Sequence, residues 1–447
     1  MSLIFYAHWN PTYLYILMTS VVLNYLIARM FNSDTKSESI RKFFLTIGIT
    51  ANIVALGYYK YMDFFIDNLN GLFGTNMPLQ HVVLPLAISF FTFQQIAYLV
   101  DNYQRKAKED DFVNYMLFVT FFPQLIAGPI VHHAEIMPQF DVVRNKVINY
   151  KNLSTGLVLF TIGLFKKTVL ADIFSEYVKY GFDESASLST LEAWMISFSY
   201  TFQIYFDFSG YSDMAVGIGK MFNFALPLNF NSPYKAVSIQ DFWRRWHMTL
   251  TRFFRDYVYI PLGGNRGGSL KTYHNLWITF LLTGIWHGAS WMFVLWGAIH
   301  GVALTVCRLS KTYFRRGVAR INRKVSILIT FLFVNLAWVF FRAENWKQAK
   351  KILVAMFGKT QCLLPRFFHL DIKFTIAGHI YDYMLPFLII GFGLVFMSKN
   401  SNELISKFEI TSKKQLMKSL AIILTLFMAA LYKIIFVPYT EFIYFNF

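Results

Sequence analysis

Leu281-Leu-Thr-Gly-Ile-Trp-His-Gly-Ala-Ser-Trp291 places one histidine, His287, inside an apolar stretch that runs from Leu276 to Val306. Roughly 20 apolar residues make enough helix to cross the hydrocarbon of a bilayer. In lipid the backbone must satisfy its own hydrogen bonds, so such a block is a helix or part of a closed barrel. Continuous apolarity without period-two alternation selects the helix. Working outward, the same reading repeats, with candidate spans near 12–31, 43–60, 81–100, 112–131, 153–173, 190–208, 211–225, 275–287, 290–307, 325–342, 383–398 and 418–437. Several are short or interrupted by glycine. The expectation is an all-α polytopic membrane protein with roughly ten transmembrane helices plus re-entrant or interfacial pieces.

Composition agrees. The chain is 55% hydrophobic and 15% charged, against about 25% charged in soluble domains. No long Ser/Gly/Pro linker and no internal repeat divides it, so 1–447 reads as a single membrane-embedded domain. The net charge of +17 does not point to nucleic acid, because its Lys and Arg sit between apolar blocks, where they set topology and meet anionic headgroups. The lipid bilayer is the expected partner.

Arg308, Lys311, Arg315, Arg316, Arg320, Arg323 and Lys324 form a loop without acidic residues, which the positive-inside rule makes cytoplasmic. Lys399, Lys407, Lys413, Lys414 and Lys418 fall on the same side two spans later. By parity the N-terminus and the tail from Val437 to Phe447 face outward. Residues 1–11 lack a basic n-region, so the first block is expected to remain as a span. Cys307 and Cys362 give neither a disulfide framework nor metal spacing.

Segment 232–274 mixes Lys235, Arg244, Arg245, Arg252, Arg255, Arg266 and Lys271 with Phe242, Trp243, Trp246, Phe253, Phe254 and Tyr257. It is too charged for mid-membrane lipid and reads as an interfacial helix. The Ser238-Ile-Gln-Asp241 capping pattern would start that helix, and Asp241–Arg245 and Arg252–Asp256 are spaced to pair along one face.

An ionisable residue at membrane depth is costly and is a functional candidate by default. Residue physics alone leaves His287 open between that role and a buried, hydrogen-bonded histidine. Gly284 and Gly288 permit a helix break or a close backbone approach beside it. On one unbroken helix His300 would point about 220° away from His287, which makes it a packing residue unless the helix breaks at Gly288. His247 sits in the basic aromatic segment and can form half of a buried polar pair with His287. The remaining histidines have simpler readings. His8, His81, His274, His369 and His379 fall near span ends or in loops, and His132-His133 with Glu135 lacks a recurrent zinc spacing, so no metal is expected. Asp207 and Asp213, in Asp207-Phe-Ser-Gly-Tyr-Ser-Asp213, offer a helix junction as readily as a site. Gly263-Gly-Asn-Arg-Gly-Gly268 follows no strand and reads as a flexible turn. Among the ten tryptophans, Trp243, Trp246, Trp277, Trp286, Trp291 and Trp296 lie between 243 and 296, favouring a shaped pocket around the two histidines.

Ordered motifs extend this pattern along the chain. They are Phe121-Phe-Pro-Gln-Leu-Ile-Ala-Gly-Pro-Ile130, Phe206-Asp-Phe-Ser-Gly-Tyr-Ser-Asp-Met-Ala215, Asn231-Ser-Pro-Tyr234 and Phe242-Trp-Arg-Arg-Trp-His-Met-Thr-Leu250. Phe254-Arg-Asp-Tyr-Val-Tyr-Ile-Pro-Leu-Gly-Gly-Asn-Arg266, Gly284-Ile-Trp-His-Gly-Ala-Ser-Trp291 and the closing Phe442-Ile-Tyr-Phe-Asn-Phe447 complete them. Together they resemble the membrane-bound O-acyltransferase (MBOAT) family, most closely its bacterial alginate O-acetyltransferase branch, densest over 121–301. The resemblance implies a bacterial inner-membrane enzyme with a central tunnel and a catalytic histidine at His287. It implies a second polar residue at His247 and no permanently bound cofactor. It further implies a cytoplasmic thioester donor, acetyl-CoA, and a partner that passes the acetyl group to an extracytoplasmic polysaccharide: alginate, another exopolysaccharide or peptidoglycan.

The chemistry suits these residue types. Histidine can take the proton of an attacking hydroxyl and return it to the thiolate. A group such as Ser290 can donate to the developing oxyanion, and Arg244 and Arg245 can meet CoA phosphates. Trp243, Trp246 and Trp286, with Asp207 and Asp213, complete the expected substrate or cofactor surroundings. Two alternatives remain at this point: a D-alanyl transferase for teichoic acid fed by a carrier-protein thioester, and a polysaccharide-associated transporter with broken helices.

Overall fold

The computed structural model describes residues 2–31, 36–107, 111–313, 322–358, 376–406, 413–437 and 442–443. Cys362, His369, Lys407, most of the basic loop after Arg308 and all but two residues of the closing motif lie outside them. Among the described residues there is no strand, and helices follow one another throughout. Five are long and apolar enough to cross a membrane: Pro11–Phe31, Glu38–Phe73, Trp291–Ser310, Arg323–Arg342 and Met417–Phe436. Helix Glu38–Phe73 is far longer than the expected span at 43–60. Its 36 residues extend about 54 Å, so it continues well beyond a core of roughly 30 Å.

Where the structure departs from the expected spans, close packing and polar pairing are the reasons. The stretches 190–208 and 211–225 are not two spans but one helix, Thr190–Met221, opened by a capping box between Ser189 and Glu192. Its polar residues do not break it because the neighbouring helix meets them. Tyr150–Phe165 continues into a π-turn, Lys166–Ala171. Lys166 Nζ lies 2.7 Å from Asp213, and Lys167 Nζ lies 2.8 Å from Asp207 and 3.1 Å from Asp172. The two helices approach on glycine. A Cβ at Gly156 would stand 2.5 Å from the Gly217 carbonyl oxygen, and one at Gly163 would stand 2.5 Å from that of Gly210. Small residues at the crossing let backbones close to this distance, which is how helices gain packing energy in lipid.

The expected span at 112–131 is also interrupted. Helix Phe112–Thr120 gives way to the short Phe122–Leu125, then to a turn and irregular chain through Gly128 and Pro129. The freed Ile130 N–H finds the Thr249 hydroxyl at 3.1 Å, the kind of internal partner that irregular backbone at membrane depth requires.

The basic aromatic segment is not one interfacial helix. Ser238 caps a single turn, Ile239–Phe242. The chain then turns through His247 at φ 42°, and helix Met248–Phe254 follows. Trp243, Trp246, His247 and Leu250 are buried, so apolar burial outweighs the amphipathic pattern. Asp241 pairs with Arg245 as its spacing allows. Arg252 does not pair with Asp256; it forms a two-pronged ion pair with Glu135, while Asp256 pairs with Arg255.

The closing motif docks inward. Phe442 is buried, stacked 4.7 Å from Tyr211, and the Ile443 N–H donates to Asp207 at 2.9 Å.

Candidate active site

Helix Gly268–His287 ends on His287 because the chain turns extended at Gly288 and re-enters helix at Trp291. Sterics require glycine at this bend: a Cβ on Gly288 would lie 2.2 Å from the Phe293 ring. The two arms are held together at Gly284, where a Cβ would lie 2.3 Å from the Phe293 carbonyl oxygen. The break that the sequence left open at Gly288 is therefore present, and it delivers His287 and His300 into one aromatic cluster.

The His287 side chain is 1% exposed. Its ring centre lies 5.0 Å from Trp286, 5.1 Å from Trp296 and 5.0 Å from Phe341. Trp296 in turn sits 4.7 Å from His300, whose Nδ1 accepts from the Trp243 indole at 3.3 Å. His247, Lys60 and His300 are all close enough to couple electrostatically to His287.

His247 is fully buried and lies under Phe208, with ring centres 4.6 Å apart. The Trp286 indole contacts both histidines, with ring centres 6.1 Å from His247 and 5.0 Å from His287. Asn229 settles which His247 nitrogen holds the proton in the neutral ring. Its Oδ1 accepts from the Thr249 N–H at 3.3 Å and the Thr249 hydroxyl at 2.9 Å, and lies 3.0 Å from His247 Nδ1. A backbone N–H can only donate, so this atom is the amide oxygen and Nδ1 is the donor. Nε2 is then the nitrogen with a lone pair.

The other sequence-derived candidates divide. Trp243, Trp246 and Trp286 are buried in the cluster, and Trp246 packs 4.9 Å from Trp338. Ser290 stands two residues past the break, where its Oγ accepts from the Met292 N–H at 3.2 Å. Arg244 is exposed and lines a cavity of about 220 Å³ together with Gln240, Trp243, Arg255, Thr279, Phe280, Thr283 and Leu304. Arg245 instead donates to Asp241 and the Asn231 carbonyl. Asp207 and Asp213 are taken up in the lysine pairs described above rather than in the histidine cluster. His132 contacts Tyr257 and Asp101, and His133 packs between Tyr98 and Phe118. Among the described residues no His, Cys, Asp and Glu group could hold a metal ion.

Three participants were missed in the sequence. Asn229 and Thr249, which orient His247, are ordinary polar residues beside a motif. Lys60, which donates to the Trp286 carbonyl, carried one available signal: it is a lone cation inside an apolar block.

Residues 43–345 match the model of the membrane-bound O-acyltransferase family. A peptidoglycan O-acetyltransferase of Helicobacter pylori is 50% identical over 382 residues, covering 80% of this chain and 72% of that protein. A probable alginate O-acetylase AlgI of Azotobacter vinelandii is 39% identical, covering 80% and 71%. A teichoic acid D-alanyltransferase of Bacillus subtilis is 26% identical over 60% of this chain and 71% of its own.

Proposed function

The chain belongs to the membrane-bound O-acyltransferase family, and from that premise we propose that it is a bacterial inner-membrane O-acetyltransferase that carries acetyl from cytoplasmic acetyl-CoA toward peptidoglycan outside the membrane. The observation that carries this reading is the burial of His287 at a broken helix end, in one aromatic cluster with the buried His247, the Trp286 ring contacting both. The choice of acceptor rests on the 50% identity to the peptidoglycan enzyme against 39% for the alginate relative. The 26% identity to the teichoic acid D-alanyltransferase makes a carrier-protein donor the weaker reading.

His287 takes the proton of the attacking hydroxyl as that oxygen adds to the thioester carbonyl. The tetrahedral oxyanion collapses, the C–S bond breaks, and the imidazolium returns its proton to the departing thiolate. His247, held by Asn229, orients this arrangement, and Ser290 supplies a hydroxyl for the developing charge. The attacking hydroxyl belongs to a partner protein on the outer side, so acetyl leaves CoA as that protein's ester and is passed from there to a hydroxyl of the polysaccharide.

The cavity from Arg244 to Thr283 is the proposed donor entrance. Arg244 is exposed and among the described residues pairs with no carboxylate, which leaves its guanidinium for a CoA phosphate, whereas Arg245 is committed to Asp241. Arg244→Ala is expected to raise KM for acetyl-CoA about tenfold, the worth of one charge-assisted hydrogen bond. Arg245→Ala breaks a largely surface pair and is expected to change KM by less than about twofold. Equal effects in steady-state kinetics would remove this entrance.

The function itself is tested in proteoliposomes with labelled acetyl-CoA on the cytoplasmic side and, outside, peptidoglycan glycan strands plus a periplasmic extract. Label in the glycan strands is the expected result. Label found only with a D-alanyl carrier protein as donor would overturn it.

A further inference from the structure

Lys60 lies within helix Glu38–Phe73, inside an apolar span, and among the described residues no carboxylate pairs with it. An ammonium at membrane depth is costly, and an apolar side chain would suit the span better, so stability alone does not account for it. Its contacts do. Lys60 Nζ donates to the Ser89 hydroxyl at 3.1 Å and to the backbone carbonyl of Trp286, and it stands 5.6 Å above the Trp286 ring. The next residue, Tyr61, donates its hydroxyl to the Ile285 carbonyl at 2.7 Å.

These two carbonyls belong to the last turn of helix Gly268–His287. The last four carbonyls of a helix have no partner within it, and here the chain leaves helical geometry immediately after His287. The Gly288 N–H, 3.2 Å from the Ile285 carbonyl, is the chain's own cap here; a last turn held only at a glycine bend can rotate, and His287 would rotate with it. Consecutive residues of a separate, long helix instead grip the two peptide groups that precede the histidine.

We propose that Lys60 and Tyr61 are positioning residues that clamp the end of this helix and hold the His287 imidazole in line for proton transfer, with Lys60 carrying the larger share. The proposal rests on His287 as the base of the acetyl-transfer reaction. Lys60 acts through His287, by fixing the peptide group that precedes it.

The test uses the full-length protein in the acetyl-transfer assay, with acetyl-CoA varied, for the parent, His287→Ala, Lys60→Met, Lys60→Gln and Tyr61→Phe. Lys60→Met keeps the length without the donor, and kcat is expected to fall about 100-fold, as misplacement of a reacting group by about 1 Å does. KM for acetyl-CoA stays near the parent value, because Lys60 is not among the residues lining the cavity at Arg244. Lys60→Gln restores an N–H donor and is expected to recover part of kcat. Tyr61→Phe loses one hydrogen bond, worth about fivefold. A folded Lys60→Met at the parent's kcat, or one that raises KM alone, overturns the clamp. Should Lys60→Met fail to fold, parent-level kcat in both Lys60→Gln and Tyr61→Phe overturns it equally. Undiminished transfer by His287→Ala would instead overturn the reading beneath the clamp.

Discussion

His287→Ala is expected to lower the turnover of acetyl transfer about 100- to 10,000-fold, the range that a positioned general acid–base supplies. The expectation follows from where the ring sits. Trp286, Trp296 and Phe341 surround it at about 5 Å, and it is 1% exposed. Solvent water is poorly placed to substitute for the missing base. His287→Gln is the companion variant, since it retains hydrogen-bonding capacity and most of the volume but cannot cycle a proton at neutral pH. Both variants are expected to bind acetyl-CoA with little change, because the proposed donor cavity is lined by other residues. Rates are compared at saturating donor, after size-exclusion chromatography has shown that each variant remains monodisperse. Turnover in His287→Gln equal to the parent's would sink the assignment. His247→Ala is expected to cost less, because its Nδ1 is already occupied by Asn229 and its role is to orient rather than to exchange the proton.

Asp213→Ala is expected to cost about 3–5 kcal/mol of stability, because it strands the Lys166 ammonium in a largely buried position. Lys166 and Asp213 are 14% and 10% exposed, and Ser401 is the other hydroxyl on this pair. The pair joins the π-turn after helix Tyr150–Phe165 to helix Thr190–Met221 and to the short helix Ser401–Ser406. A double variant, Lys166→Met with Asp213→Leu, is expected to recover most of the loss, since replacing both partners by apolar groups removes two desolvated charges together. Thermal unfolding in detergent is the measurement. An Asp213→Ala midpoint equal to the parent's would mean that the pair contributes nothing to packing. At a temperature where Asp213→Ala is folded, its kcat is expected to stay close to the parent's, because the carboxylate lies outside the histidine cluster. That second readout separates an architectural carboxylate from one belonging to the site.

The two aspartates show how a motif can be legible while its role is not. Their place in Asp207-Phe-Ser-Gly-Tyr-Ser-Asp213 marked an unusual interruption of apolar sequence, and the motif belongs to the family pattern. What they pair with is Lys166 and Lys167, some forty residues earlier, whose approach runs past two glycine contacts between helices. Linear spacing carries no information about that approach. Arg244 and Arg245 teach the same point at shorter range. Adjacent and identical in type, they part because the Arg245 side chain is held by Asp241 and the Asn231 carbonyl, while Arg244 lines the cavity.

The sequence by itself determined that this chain is a helical membrane protein, because helix is the simplest way to satisfy the backbone of long continuous apolar blocks in lipid. It also determined the family, since the ordered motifs extend along nearly the whole chain, and it singled out His287 as an ionisable group at a depth where one is costly. The tertiary structure decided how that histidine is held. The chain breaks at Gly288, where the Phe293 ring fills the space a side chain would take. Which nitrogen of His247 carries the proton depends on Asn229 and Thr249. The partner of the Trp286 carbonyl is a lysine 226 residues away in the chain. These contacts, the last of them between segments far apart in the chain, are set by packing and by the need of buried polar groups for partners, and neither hydrophobic periodicity nor local spacing encodes them.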